Sequence, residues 1–220
     1  MISSEQQIKN LFAELDSFLA SPAKIYLIGG AALMLSRLKS FTKDLDIIVK
    51  TQEEYRVFEQ AVRKAGFKET ALTFGIEKLT VQLAVERADI RLDLFLDKVC
   101  GKMGLSHSMI SRARPVFSGK NLAVLSCANE DIFVFKTITV REGDKDDCKE
   151  LIKYGLDWKI IIQEIRLQVK EGNPLWISWI NERLQELADE GFNIPILEET
   201  TKESMKYLED YHNQQIKKKH

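Results

Sequence analysis

The chain has 220 residues, a formal net charge of −1, 45% apolar residues and 30% charged ones. That is the make-up of an ordinary globular protein, long enough for one large domain or two small ones and able to bury its core without disulfides. A near-neutral total gives no global field to draw nucleic acid, although a local basic groove stays compatible with it.

Residues 3–20 predict a helix, with Leu11, Phe12, Leu15, Phe18 and Leu19 at helical spacing and Pro22 ending the pattern. Residues 24–28 (KIYLI) predict a strand, Gly29 and Gly30 the turn after it, and 31–38 a short helix of strong helix formers. Residues 44–49 (DLDIIV) predict a second strand, and 52–65 a helix stopped by Gly66. The β-prone runs 79–86 and 89–96 predict a hairpin, and PVFSGKNLAVL at 115–125 a short strand pair with a Ser-Gly turn. From about residue 128 the pattern is helical, broken near Gly143, Gly155, Gly172 and Gly191. The expected fold is α+β: a small mixed β-sheet flanked by helices in residues 1–126, then an all-helical region, 127–220, closing one side of a cleft.

Cys100, Cys127 and Cys148 are isolated, odd in number and without CxxC spacing. They suit inert thiols in a reducing compartment, not a disulfide framework or zinc site. The polar start MISSEQQIKN and the lack of any apolar run near the ~20 residues of a membrane span predict a cytoplasmic protein with no membrane partner. His107 reads as a surface residue, and Trp158, Trp176 and Trp179 are spaced for a helical core.

The chemistry concentrates in YLIGGAALMLSRLKSFTKDLDIIVK, residues 26–50. On a strand, side chains alternate faces, so Asp44, Asp46 and Ile48 share one face and Leu45, Ile47 and Val49 the other. Two carboxylates side by side repel unless a cation sits between them, and hard divalent cations prefer oxygen ligands. IRLDLFLD at 90–97 supplies a third: Arg91, Asp93 and Phe95 share a face opposite Leu92, Leu94 and Leu96. If that strand pairs beside 44–49, Asp93 joins Asp44 and Asp46, and three carboxylates can hold two metal ions about 3.5–4 Å apart for in-line phosphoryl displacement. Gly29 and Gly30 would bring backbone N–H groups close to a triphosphate. The segment is neither a Walker A loop nor GxGxxG.

In this order and spacing the residues resemble the DNA polymerase β-like nucleotidyltransferase superfamily: Ile28-Gly29-Gly30, a spacer, Asp44-Leu45-Asp46 between apolar residues, then Asp93 on a later strand. FTKDLDIIV is similar to the version in nucleotidyltransferase-like toxins of type IV, abortive-infection toxin–antitoxin systems. FKTITVREGDKDDCKEL at 135–151 is similar to their downstream helical motif of Lys, then Arg, then a basic-Asp-x-x-Asp step, although Glu142-Gly143 is expected to interrupt the helix. The chain departs from the toxin pattern at Ser40, where an arginine is usual, and in an imperfect Asp-x-x-Asp.

The resemblance implies a catalytic trio of Asp44, Asp46 and Asp93 binding Mg2+ or Mn2+. It also implies nucleotide contacts from Gly29, Gly30, Thr42, Lys43, Lys136, Arg141 and Lys145. The implied reaction moves a nucleoside monophosphate from a nucleoside triphosphate to a hydroxyl on tRNA, a protein or a small molecule, releasing pyrophosphate. A non-catalytic nucleotide- or partner-binding module of the same fold, and a toxin whose amphipathic helix at 199–215 meets an antitoxin, remain alternatives.

Overall fold

Helix α1, Glu5–Asp16, begins where the Ser4 hydroxyl accepts the Gln7 backbone N–H, and it buries Ile8, Leu11, Phe12 and Leu15 along one stripe. The computed structural model describes residues 1–71, 81–99, 101, 103–139 and 141–217. In chain order after α1 come β1 (Ala23–Ile28), α2 (Gly29–Leu35), β2 (Asp44–Val49), α3 (Gln52–Lys64), β3 (Lys68–Glu69), β4 (Leu83–Arg87), β5 (Ile90–Leu96), β6 (Lys98–Val99), β7 (Met103–Gly104), α4 (His107–Arg112), β8 (Arg114–Ser118) and β9 (Leu122–Ser126). Helices α5 (Asn129–Thr137), α6 (Glu142–Tyr154), α7 (Trp158–Glu171), α8 (Trp176–Asp189) and α9 (Leu197–Lys217) complete it. The chain divides into two compact units, Met1–Ile132 and Phe133–His220, so the division falls within α5.

The first unit is built on a seven-stranded mixed sheet of order β3-β4-β5-β2-β1-β9-β8. Strands β5 and β2 run parallel, as do β1 and β9, while the other neighbours are antiparallel. The alternation read from the sequence is the one the sheet uses. Ile25, Leu27, Leu45, Ile47, Val49, Leu92 and Leu94 join Phe12 and Leu15 of α1 and Phe58 and Val62 of α3 in one core. Asp44, Asp46, Arg91 and Asp93 therefore lie on the opposite face, whose apolar residues Tyr26, Ile48 and Phe95 are also buried.

The expected hairpins form as β4–β5 and β8–β9, the second with a bulge between Pro115 and Phe117. Residues 79 and 80 of the expected 79–86 run lie outside the described residues, as do Cys100 and the tail 218–220. The first helix is shorter than 3–20. It ends at Asp16, whose carboxylate accepts the backbone N–H groups of Lys120, Asn121 and Leu122 in the β8–β9 turn at 2.9, 2.8 and 2.7 Å. A Cβ on Gly119 would lie 2.5 Å from that carboxylate, which is why the turn carries glycine.

In the second unit, α8 packs against α6, α7 and α9 and buries Trp176, Ile177, Ile180, Leu184 and Leu187. Phe133 meets Trp158 edge to face at 5.5 Å. Trp176 is core as expected, whereas Trp179 is 38% exposed. The expected break near Gly143 is present: α5 ends at Thr137 and α6 starts at Glu142, with Gly143 in its first turn, where glycine costs less than in a helix interior.

Candidate active site

Strand β1 runs antiparallel to β2 with Ile28 opposite Asp46, and β2 runs parallel to β5 with Asp46 opposite Asp93 and Asp44 opposite Arg91. Gly29 thus follows β1 where Asp46 stands on the next strand. Its φ is +60°, the left-handed region that favours glycine. A Cβ there would lie 2.0 Å from Asp46 Oδ2, so the carboxylate rests on bare glycine backbone. A Cβ on Gly30 would meet Thr42 Oγ1 at 2.7 Å. Both glycines serve close approach: one admits an acid, the other a hydroxyl. No side chain caps the first turn of α2.

Thr42 is 8% exposed, and its hydroxyl donates to the Asp44 carbonyl at 2.8 Å, fixing the start of β2. Lys43 is exposed, while Asp44 and Asp46 are half-buried. Asp93 is only 2% exposed. Arg91 Nε donates to Asp93 Oδ1 at 2.8 Å, and these two side chains are 13% and 3% exposed. The guanidinium's Nη2 is buried and has no hydrogen-bond partner. Register also puts Glu86 of β4 opposite Arg91. Asp44, Asp46, Asp93 and Glu86 therefore share a face with Arg91 and with Lys68, which stands opposite Glu86 on β3.

The cations of the 135–151 segment lie in the second unit, each already in an ion pair. Lys136 is 8% exposed; its ammonium sits 2.7 Å from Asp144 Oδ1 and 2.6 Å from Asp147 Oδ2. Thr139 Oγ1 donates to the other Asp144 oxygen at 2.7 Å. Burial alone would lower the Lys136 pKa, but the two carboxylates overcome it and hold the ammonium above its ordinary value. Burial likewise pushes Asp144 up, and Lys136 more than reverses that, leaving the carboxyl below its usual range. Arg141 is half exposed and 3.8 Å from Asp144, and Lys145 pairs with Glu142 at 2.9 Å and Glu190 at 3.0 Å. His107 opens α4, exposed, as expected of a surface residue.

A family model described as "Nucleotidyltransferase of unknown function (DUF6036)" matches residues 6–172, most of the chain. The chain belongs to this family. No curated protein matches it. Among solved structures it is similar to ANT(2")-Ia in complex with adenylyl-2"-tobramycin, with 16% identity, a TM-score of 0.40, and coverage of 83% of this chain and 98% of that one. The family match, not that distant likeness, makes the chain a nucleotidyltransferase.

The donor set of this nucleotidyltransferase suits a hard divalent cation: carboxylate oxygens on adjacent strands, and a glycine whose missing Cβ is the space Asp46 fills. As the side chains stand, no three His, Cys, Asp or Glu among the described residues are gathered at metal-binding spacing. Arg91 takes one oxygen of Asp93. Sequence reasoning had placed Arg91 on the acidic face without giving it a role. The available signal was a cation two residues before an acid in an otherwise apolar strand.

Proposed function

We propose that the chain transfers a nucleoside monophosphate from a nucleoside triphosphate to an acceptor hydroxyl in a Mg2+- or Mn2+-dependent reaction, with Asp44, Asp46 and Asp93 as the catalytic carboxylates of residues 1–126. One observation carries this reading: Asp46 stands beside Asp93 on adjacent parallel strands, over a glycine whose backbone leaves no room for a Cβ. When bound, the divalent cation would supply positive charge for the triphosphate and acidify the attacking hydroxyl. The hydroxyl oxygen bonds to the α-phosphorus, the bond to the bridging oxygen breaks, and pyrophosphate leaves with that electron pair. Asp93, the most buried of the three acids, would take the hydroxyl proton. Gly29 and Gly30 would offer backbone N–H groups to the phosphate chain, with Thr42 and Lys43 at the mouth. Lys136, Arg141 and Lys145 enter as nucleotide contacts through the family resemblance alone. Catalysis would rest on positioning and electrostatics.

The test is to incubate the protein with each α-labelled nucleoside triphosphate, Mg2+ or Mn2+, and tRNA, total protein or an aminoglycoside. Transfer of label to one acceptor, abolished by Asp44→Ala and Asp93→Asn, is the expected result. A second reading, nucleotide binding without turnover, draws on the Arg91–Asp93 pair, which occupies one of the acids needed for chemistry. Calorimetric binding of nucleotide with no label transfer under any condition would favour it over the first.

A further inference from the structure

Arg91 sits where the proposed site needs a cation. It shares a face with Asp44, its register partner on β2, and with Glu86, its partner on β4. Its side chain donates along its own strand, from Nε to Asp93 Oδ1 at 2.8 Å. A guanidinium has five N–H donors in a fixed fork and cannot lose its charge. In this fork Nη2 is buried without an acceptor. A buried charged donor left unpaired is costly, and a group that served only to hold β5 in place would have its fork filled. The acceptor that fits is a doubly coordinating oxyanion such as a phosphate.

We infer that Arg91 is a positioning residue: an internal counter-cation that holds Asp93 before substrate arrives, competes with a free divalent cation for it, and gives its unpaired Nη2 donor to the triphosphate when nucleotide and cation enter together. The inference rests on the nucleotidyltransferase site proposed above. It assigns the chain a preference for cation already complexed with triphosphate over cation alone. The physical basis is charge. With the guanidinium present, part of the field that attracts a cation to Asp93 is cancelled; once phosphates bring their own negative charge, the guanidinium has a second partner and the competition ends.

The experiment compares wild type, Arg91→Gln and Arg91→Lys by calorimetry and manganese EPR. The two probes are Mn2+ alone and Mn2+ with inorganic triphosphate, the phosphate chain common to every nucleoside triphosphate. Arg91→Gln is expected to bind Mn2+ alone about tenfold more tightly than wild type, as removing a nearby like charge should allow. It should also lose most of the preference for the Mn2+–triphosphate pair. Arg91→Lys, which keeps the charge and loses the fork, is expected to bind free Mn2+ as wild type does and the pair more weakly. Free Mn2+ bound no more tightly by Arg91→Gln than by wild type, with the pair still bound, overturns the role of Arg91 and leaves the proposed function standing. No binding of the pair by wild type overturns both.

A measurement on unsubstituted protein covers the case in which Arg91→Gln does not fold. The Arg91 Nε–H resonance, identified by its absence in Arg91→Lys, should shift when Mg2+ and triphosphate are added together and stay in place with triphosphate alone. A resonance that does not move at saturation overturns the inference.

Discussion

Replacing Gly29 by alanine tests the close approach on which the site depends. Two costs can be separated. At φ +60° an alanine Cβ crowds its own backbone, which costs roughly 1–2 kcal/mol. For a chain of this length that is a fall in Tm of roughly 2–8 °C, at about 2–4 °C per kcal/mol. The second cost falls on chemistry. The new Cβ would begin 2.0 Å from Asp46 Oδ2 and 2.9 Å from its Cγ, so the carboxylate must retreat by roughly 1 Å merely to reach the 3.0 Å limit of real contacts. A misplacement of about 1 Å at a reacting centre costs on the order of 100-fold in rate. The assay is label transfer at saturating nucleotide beside a thermal melt. Gly143→Ala is the control: it lies in the first turn of α6 and a Cβ there meets nothing within 4 Å. It should leave transfer unchanged and stabilise by up to about 1 kcal/mol. If Gly29→Ala melts lower as expected yet transfers label within about threefold of wild type, Asp46 does not act where it rests, and the catalytic assignment fails.

Asp16→Ala removes the acceptor for three backbone N–H groups of the β8–β9 turn and should cost about 1–3 kcal/mol in urea titrations. Burial pushes the Asp16 carboxyl up, and the Asn121, Lys120 and Leu122 amides more than offset this, leaving it below its ordinary 3.8. Because the folded value is the lower one, this contribution is complete above pH 3.8 and fades as pH falls through the folded value, so the gap between wild type and Asp16→Ala should close in acid and stay level at neutral pH. Lys136→Met leaves Asp144 and Asp147 buried without their cation and should cost about 3–5 kcal/mol, while adding Asp144→Asn and Asp147→Asn should recover much of it; a loss below about 1 kcal/mol in the single variant would contradict the buried pairing. Burial pushes the Cys127 thiol far up and the Cys148 thiol up to about 12, so in a Cys100→Ser background neither should react with a thiol reagent until the protein unfolds.

Strand β2 was legible to the residue, because DLDIIV fixes its faces by alternation and its apolar half matches the core that α1 and α3 cover. The pairing of β5 beside β2 was legible only through function: nothing local in IRLDLFLD says which strand it joins, and the argument for Asp93 beside Asp46 came from the chemistry of like charges. Where the reading missed, the deciding force was nonlocal. Phe18 and Leu19 continue a helical pattern, yet α1 ends at Asp16, whose carboxylate accepts from a turn about a hundred residues away. The break near Gly143 was legible, but it falls just before Glu142, because glycine is tolerated in the first turn of α6, where few intrahelical bonds are at stake. Lys136 stood out as a cation in an apolar helix, and its sequence could not reveal that both acids of the following segment close on it.

That contrast separates the two buried ionic clusters by physics. Around Lys136 the charges are closed on one another: the ammonium meets two carboxylates, a threonine hydroxyl takes the remaining Asp144 oxygen, and no side-chain atom of the cluster is buried without a partner among the described residues. Such a cluster stabilises the packing of α5 against α6. Around Arg91 the hydrogen bonding does not close: its Nη2 donor is buried with no acceptor among the described residues. The one other buried atom of that kind among the described residues, Asn129 Oδ1, is a neutral acceptor and so carries a far smaller penalty. Natural cores satisfy their polar atoms, and under the proposed function the Arg91 donor would find its acceptor in the triphosphate. In that proposal the cation would meet the carboxylates and the phosphate oxygens would meet Nη2, so the two ligands would bind better together than apart.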